Sequence, residues 1–212
     1  MRLEEAVRRL TRLPDPLPSG PPSLLPLFLE GDRPTGPLPP AAERPAAVLV
    51  LLVPNRGGEA HIVLTERVVG GRYHSGEVSF PGGRSEPDDA DEAATALREA
   101  WEEVGLDAVA AGVTVLGMLD PVVIPVSGFR LTPILAFAER SPALRPAPAE
   151  VSRILEPPIS RFLSDAPIRI VQRETGGRLL RYGAYPIDDL LVWGATARVL
   201  GQLGAILGAA QD

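Results

Sequence analysis

Cysteine and lysine are both absent from the 212-residue chain. Without cysteine there is no disulfide, no thiolate nucleophile and no cysteine-ligated zinc site. Without lysine, all 21 basic side chains are arginines, so any basic contact to a phosphate group must come from arginine. Aromatic residues make up only 5% of the chain, which leaves alanine, leucine, valine and isoleucine to supply most of the core.

Long apolar runs and an excess of positive charge are also missing. No stretch is apolar for long enough to span a bilayer, so we expect no membrane partner. The formal net charge of -6 argues against a nucleic-acid-binding protein that relies on phosphate attraction. Residues 1–13 carry four arginines, but Glu4 and Glu5 argue against a transit peptide, and the spacing of the apolar residues favours an amphipathic helix. We therefore expect a cytoplasmic protein.

The chain divides into an N-terminal helix with a proline-rich arm, residues 1–45, and a main domain, residues 46–212. Residues 14–45 are dense in proline, which removes N–H donors, so they predict an extended arm or wrapped loop without regular strands. Residues 46–53 predict a buried strand, and a turn at residues 55–58 returns the chain as a second strand over residues 60–65. Further strands are predicted over residues 113–119, 131–137, 168–171 and 179–182, and a second helix over residues 191–207. This order predicts a mixed α/β sandwich.

The strongest helix signal lies within residues 81–106. Asp89 and Glu92 predict an N-cap and its capping-box partner, and Gly105 stands where a C-cap glycine is expected. At about 100° per residue, one face of this helix is apolar and is predicted to be core. The apolar face comprises Ala93, Leu97, Ala100, Trp101 and Val104.

Three glutamates share the opposite face of this helix. Glu99, Glu102 and Glu103 are related by three and four residues, so their Cβ atoms lie about 5–6 Å apart. Two carboxylates at about 6 Å repel by roughly 3 kcal/mol at an effective dielectric constant of about 20. An exposed cluster is explained by solvation, whereas a half-buried cluster requires a cation. Oxygen ligands in a chain without cysteine indicate Mg²⁺ or Mn²⁺ rather than zinc.

Two segments resemble a known family. Residues 98–106 resemble the second half of the Nudix box, and Pro81-Gly82-Gly83 resembles its start, with one extra residue before Arg98. Leu64-Thr65-Glu66-Arg67, Arg72, Gly76 and Phe80-Pro81-Gly82-Gly83 are similar to the signature that precedes the box in coenzyme A pyrophosphatases. That subfamily also tolerates the longer box. Val63 and Val68 depart from the leucine and the small residue that are usual in the signature.

The resemblance implies a Nudix-type α/β/α sandwich with a mixed sheet and a central carboxylate-bearing helix. It implies Mg²⁺- or Mn²⁺-dependent hydrolysis of coenzyme A to adenosine 3′,5′-bisphosphate and 4′-phosphopantetheine. Arg98 is expected to orient the glutamates by ion pairing. The remaining roles are metal binding by Glu99 and Glu103, catalysis by Glu102 and Glu150 (with Glu139 as the other candidate base), and substrate binding by Arg67, Arg72, Gly82 and Gly83.

Other interpretations compete with this one. The chain could be a Nudix hydrolase of ADP-ribose or of a dinucleotide polyphosphate, a non-catalytic Nudix ligand sensor, or a structural protein with a solvated acidic helix. Individual residues also have structural interpretations. Arg67 could brace its loop, Glu150 could be an exposed loop acid, and His61 is expected to be packed or hydrogen-bonded.

Overall fold

A computed structural model of the protein describes residues 1–30, 33–35, 44–68, 76–124, 127–175 and 177–209. The helices and strands of these residues follow one another in this order: α1 (Leu3–Leu10), β1 (Leu27–Glu30), β2 (Arg33–Thr35), β3 (Arg44–Pro54), β4 (Ala60–Ile62), β5 (Leu64–Arg67), β6 (Val78–Ser79), β7 (Gly82–Arg84), α2 (Glu92–Val104), α3 (Ala108–Ala111), β8 (Val113–Met118), β9 (Val122–Ile124), β10 (Phe129–Ala138), β11 (Val151–Leu155), β12 (Arg169–Thr175), β13 (Arg178–Ile187), β14 (Leu190–Val192) and α4 (Gly194–Gly208).

Strand β3 is the centre of a mixed sheet and confirms the predicted buried strand. It pairs in parallel with β10 and antiparallel with β4 and β7, and β10 pairs antiparallel with β8 and β9. Both faces of β3 are covered, because Leu49 and Leu51 pack towards α2 while Val50 and Leu52 pack towards α1 and α4. The predicted α/β/α sandwich with a mixed sheet is therefore confirmed.

The strand predicted over residues 60–65 is in fact two strands in different sheets. Strand β4 stays with β3, and the Val63 N–H still donates to the Leu51 carbonyl at 3.1 Å. From Leu64 onwards the chain leaves that sheet, and β5 pairs instead with β11 and β6. This change of partner carries Arg67, at the end of β5, away from the central sheet.

The proline-rich arm contains two strands, so the prediction that it lacks them is wrong. Strand β1 pairs with β13, and β2 pairs with β1. The prolines permit this pairing because none lies within β1, and Pro34 lies in β2 at the edge of its sheet, where a missing donor is tolerated. Leu24, just before β1, is buried in the same core as α1 and α4.

The C-terminal helix begins three residues later than predicted. Leu190–Val192 forms β14 against β13, and Trp193 has the extended backbone of a helix cap, so α4 starts at Gly194. Trp193 is only partly buried and stacks on Tyr182, with ring centroids 4.7 Å apart. No helix in the described part of the chain is long and apolar enough to cross a membrane.

Candidate active site

Helix α2 presents the three glutamates next to the central sheet. It begins after Asp91, whose carboxylate accepts a 2.7 Å hydrogen bond from the Ala94 N–H, and it ends at Gly105 with φ 64°. Gly105 is thus the predicted C-cap, whereas the prediction of Asp89 as the N-cap is wrong. The Arg98 guanidinium binds the Asp89 carboxylate, which leaves Asp91 to satisfy the free N–H groups of the first turn.

The buried side of α2 is turned towards the glutamates rather than towards Trp101. Ala96, Ala100 and Val104 are buried, and so is Glu103, which is only 3% exposed. Trp101 is 60% exposed, so its prediction as a core residue is wrong. The helix is rotated in this way because β7 as well as β3 covers it, and β7 lies on the Glu103 side.

Two glycines of β7 form the floor beneath the glutamates. Gly82 has φ 154°, and a Cβ atom there would lie 2.6 Å from Val48 Cα and clash with the Ala47 carbonyl oxygen. A Cβ atom at Gly83 would lie 2.5 Å from Glu99 Oε1. Gly82 therefore requires glycine, because a side chain there would meet backbone, whereas a side chain at Gly83 would displace the Glu99 carboxylate from its present position.

The carboxylate of Glu103 is enclosed at this floor. Its Oε2 accepts a 3.1 Å hydrogen bond from the Gly82 N–H, and its Oε1 lies 3.7 Å from Arg67 Nη1. Burial raises the pKa of Glu103 to about 7, and the charges of Glu99 and Glu150 add to this effect. The bond from Gly82 and the charge of Arg67 act in the opposite direction but do not cancel the cost of burial.

Arg98 holds the remaining acids of the helix. Its Nε and Nη2 donate to the two Asp89 oxygens at 2.9 and 3.0 Å, and its Nη1 donates to Glu99 at 3.1 Å and to Glu102 at 3.2 Å. The ion pairing predicted for Arg98 is thereby confirmed. The Arg98 guanidinium also keeps the pKa of Asp89 well below its usual range. Arg98 is fully engaged by protein groups and pairs with two glutamates, of which Glu99 is mostly buried and Glu102 is half exposed.

The other carboxylates lie closer to solvent. Burial raises the pKa of Glu99, with Glu102 and Glu150 contributing by charge repulsion, although Arg98 opposes the shift. The Glu102 side chain is 54% exposed. Glu150 is exposed and directly precedes β11, and its carbonyl accepts from the Val68 N–H at 3.0 Å. The carboxylates of Glu99, Glu103 and Glu150 therefore influence one another beside α2, with Glu103 buried and Glu150 exposed.

Comparison with known proteins shows the family of the chain. Residues 43–158 match the family model of the NUDIX domain. The chain belongs to the Nudix family. It is 36% identical over 169 residues to the "Uncharacterized Nudix hydrolase NudL" of Salmonella newport, which covers 78% of this chain and 84% of that protein.

A plant protein and a solved structure are also similar. The chain is 37% identical over 161 residues to "Nudix hydrolase 15, mitochondrial" of Arabidopsis thaliana, which covers 73% of this chain and 55% of that protein. The chain thus spans about half the length of this relative. The crystal structure of a Nudix hydrolase from M. smegmatis, RenU, is 24% identical and has a TM-score of 0.47, covering 56% of this chain and 73% of that one.

The acids of the Nudix box fit a divalent cation by their chemistry. Nudix hydrolases in general use such ions, and hard cations prefer carboxylate oxygens. Burial, with added repulsion between Glu99, Glu103 and Glu150, raises the pKa values of Glu99 and Glu103, and the charge of a bound cation would favour their ionised forms. In the described residues no three acidic or histidine side chains converge at ligand distance, since Arg98 and the Gly82 N–H hold the glutamates.

The structure brings most of the predicted site residues together. Glu103 is contacted by Arg67 and by the Gly82 N–H, and Glu99 lies one helical turn away against Gly83. The charge of Glu150 acts on the Glu103 carboxylate. Glu139, the other candidate base, lies against Gly112 and pairs with Arg140 instead. Arg72 lies outside the described residues. His61 is hydrogen-bonded to Asn55 and to the Glu156 carbonyl, as predicted.

An ion-pair chain beside the site was not predicted. Arg153 on β11 donates to Glu66 on β5 at 2.9 Å and to Asp189, in the turn between β13 and β14, at 3.2 Å. These partners are 87 and 36 residues away in the sequence, so no local spacing identifies them. The sequence predicts Asp89 only as a helix cap, and its bond to Arg98, nine residues later, does not follow from the capping pattern.

Proposed function

We propose that the protein is a Mg²⁺- or Mn²⁺-dependent hydrolase of the coenzyme A diphosphate. Water is added across one P–O bond of the diphosphate, and the products are adenosine 3′,5′-bisphosphate and 4′-phosphopantetheine. The observation that carries this proposal is that residues of the upstream signature contact Glu103 of the Nudix box. Arg67 approaches that carboxylate from β5, and Gly82 donates to it from β7.

Other residues of the signature pack together and hold β5 and β6 next to each other. Leu64 and Phe80 are buried in the same core cluster. Between them, the Thr65 hydroxyl lies 3.1 Å from the Ser79 hydroxyl and donates to the Ser79 carbonyl at 3.3 Å. These contacts align β5 with β6, and Arg67 follows Thr65 by two residues. The signature that distinguishes coenzyme A pyrophosphatases therefore has a physical reason to border the carboxylates.

Within this proposal, each acid has a role that follows from its position. Glu99 and Glu103, one helical turn apart, would hold the metal ion, and Glu102 would hold a further ion or help to orient the attacking water. When bound, the ion would neutralise phosphate charge and lower the pKa of water. Glu150 is exposed and its charge acts on both Glu99 and Glu103, so it would accept the proton of that water at its carboxylate.

The basic and backbone groups would bind the substrate. The Arg67 side chain is 36% exposed, so its guanidinium can face solvent while it stays 3.7 Å from Glu103. Arginine offers five N–H donors in a planar arrangement that matches phosphate oxygens. Arg72 is proposed for a second phosphate contact on the basis of the signature alone. Gly82 and Gly83 would let the diphosphate approach the backbone without a side chain in between.

A substrate panel tests the proposal. Purified protein is incubated with Mg²⁺ or Mn²⁺ and coenzyme A, ADP-ribose or NADH, and the products are separated by chromatography. We expect metal-dependent release of adenosine 3′,5′-bisphosphate from coenzyme A, and its loss in Glu103→Gln protein. Faster cleavage of ADP-ribose or NADH would retain the hydrolase and overturn coenzyme A as the substrate. Ligand binding without turnover of any compound would instead support a sensor.

A further inference from the structure

A cavity of about 180 Å³ lies between the proline-rich arm, the loop that precedes β9, and helix α4. The arm reaches the helix at backbone distance. A Cβ atom at Gly20 would lie 2.7 Å from the Gly201 carbonyl carbon, and one at Gly201 would lie 2.5 Å from Leu24 Cδ1. The arm and helix α4 therefore pack closely at these two glycines. The arm forms a wall of the cavity.

The cavity has an ordered polar floor. Gln202 lines it, is only 7% exposed, and uses both ends of its amide. Its Oε1 accepts from the Asp120 N–H at 3.0 Å, and its Nε2 donates to Asp120 Oδ2 at 2.6 Å and to the Pro18 carbonyl at 3.3 Å. These bonds tie the three walls together and hold the Asp120 carboxylate in place.

Arg198 lines this cavity and brings a positive charge to its wall. It lines the cavity one turn before Gln202 on α4 and is half-buried. Within the described ranges of the chain, Arg198 makes neither a hydrogen bond nor an ion pair, and Asp120 stays beyond ion-pair distance. Burial lowers the pKa of Arg198. A half-buried guanidinium keeps donors that an anion can reach, and arginine is suited to bind two oxygens of an anion at once.

The cavity is separate from the carboxylates of α2. Leu24, Val122 and Val199 line it and belong to the core on the α1 and α4 side of the central sheet. Helix α2 packs on the opposite face. The volume is well below the roughly 300–1,000 Å³ of a site for a drug-sized ligand, which restricts the occupant to a small group.

We propose that this cavity binds a small oxyanion, a phosphate or carboxylate group, through the Arg198 guanidinium. The proline-rich arm supplies one wall of this site. The proposal thus gives residues 14–30 a role in binding, whereas the catalytic proposal gives them none. The inference does not depend on coenzyme A as the substrate, because it rests on groups across the sheet from the Nudix box.

The test is a titration of the metal-free protein followed by NMR. The Nε–Hε signals of the arginines and the Nε2 amide signals of Gln202 are recorded while inorganic phosphate is added, and acetate is added in a second series. We expect saturable shifts of Arg198 and Gln202 with at least one anion. Arg198→Gln should weaken binding by about ten-fold or more, and Arg198→Lys by less, because lysine keeps the charge but loses the planar pair of donors.

Arg56→Gln is the matched control, since Arg56 is an exposed arginine in the turn between β3 and β4 and does not line the cavity. It should bind as the unaltered protein does. The proposal is overturned if neither anion shifts the Arg198 signal to saturation, or if Arg56→Gln weakens binding as much as Arg198→Gln. If Arg198→Gln does not fold, the Arg198 and Gln202 signals of the unaltered protein still test whether an anion binds.

Discussion

Two glutamates of the candidate site have the same side chain but opposite environments. One lies at the glycine floor, and the other lies at the solvent-exposed edge, the rim. Glu103, at the floor, is buried and touches both a backbone N–H and an arginine. Glu102, at the rim, is half exposed and bonded to Arg98 alone in the described residues. The neighbouring positions on one helix therefore differ in how strongly the fold controls them. A group at the floor is fixed before any ligand binds, whereas a group at the rim can still be reoriented.

The largest expected difference between floor and rim is in catalysis. We predict that Glu103→Gln reduces kcat/KM by more than the roughly 10–100-fold that is typical for residues that only support a metal ligand. Glu102→Gln should cost less, because the exposed side chain can be replaced by water. The measurement is steady-state hydrolysis of the best substrate of the panel at saturating Mg²⁺ or Mn²⁺. Equal losses in the two variants would remove the distinction between floor and rim.

The second prediction concerns Gly82, which forms part of the floor. Gly82→Ala should lower the free energy of unfolding by about 3–5 kcal/mol, because the new Cβ atom meets backbone of β3 and the residue has a positive φ. Gly177→Ala is the control, since Gly177 has φ 72° but nothing within 4 Å of a Cβ atom. It should cost only about 1–2 kcal/mol. Urea unfolding compares them, and similar losses would show that the close approach of β7 is unimportant.

A third prediction concerns pH. In the folded, metal-free protein the pKa of Glu103 is about 7, above the ordinary 4.5 of the unfolded chain. The folded state then holds its proton more tightly, so this stabilising contribution is complete below pH 4.5 and is lost as the pH rises through 7. Between these limits it should change by about 3 kcal/mol.

Glu103→Gln isolates the contribution of Glu103 to the pH dependence of the unfolding free energy, because glutamine does not titrate and the other acids are retained. Subtracting the unfolding free energies of the variant from those of the unaltered protein should give a difference that falls between pH 4.5 and 7. A difference that rises over this range would contradict the burial of Glu103 as the dominant influence on its pKa.

The smallest expected effect is on the outer side of α2. Trp101→Ala should change the free energy of unfolding by no more than about 0.5 kcal/mol, because the indole is mostly exposed. Thermal or urea unfolding measures this directly. A loss of several kcal/mol, as expected for a buried tryptophan, would mean that the helix is rotated towards the orientation that the sequence predicted.

The residues of α2 show which features a sequence can predict. Gly105 ends the helix as predicted, because a C-cap depends on the last helical turn alone. The roles of Glu99, Glu102 and Glu103 were inferred from their spacing and stay predictions. The prediction for Trp101 is wrong, because the exposed side of the helix depends on β7, which contacts it only in the folded chain. Asp89 failed as a cap for a related reason, since Arg98 competes for its carboxylate from nine residues away.

Long-range pairing explains the remaining errors. Strand β1 pairs with β13, some 150 residues later, and no pattern in the proline-rich arm specifies that partner. The ion pairs of Arg153 with Glu66 and Asp189 likewise depend on three elements meeting in space. The acids of the box were found from their sequence because they share one helix. The burial of Glu103, and the lack of a partner for Arg198 among the residues that the structure describes, depend on the fold and could not be predicted from the sequence.

Direct binding of Mn²⁺ tests the central claim, that Glu103 at the floor of the site is a metal ligand. Free Mn²⁺ is measured by electron paramagnetic resonance during titration of the unaltered protein, Glu103→Gln and Glu102→Gln, with no substrate present. We predict that Glu103→Gln weakens Mn²⁺ binding by more than about 100-fold and that Glu102→Gln weakens it by about ten-fold or less. Unchanged Mn²⁺ affinity in Glu103→Gln protein would contradict the claim.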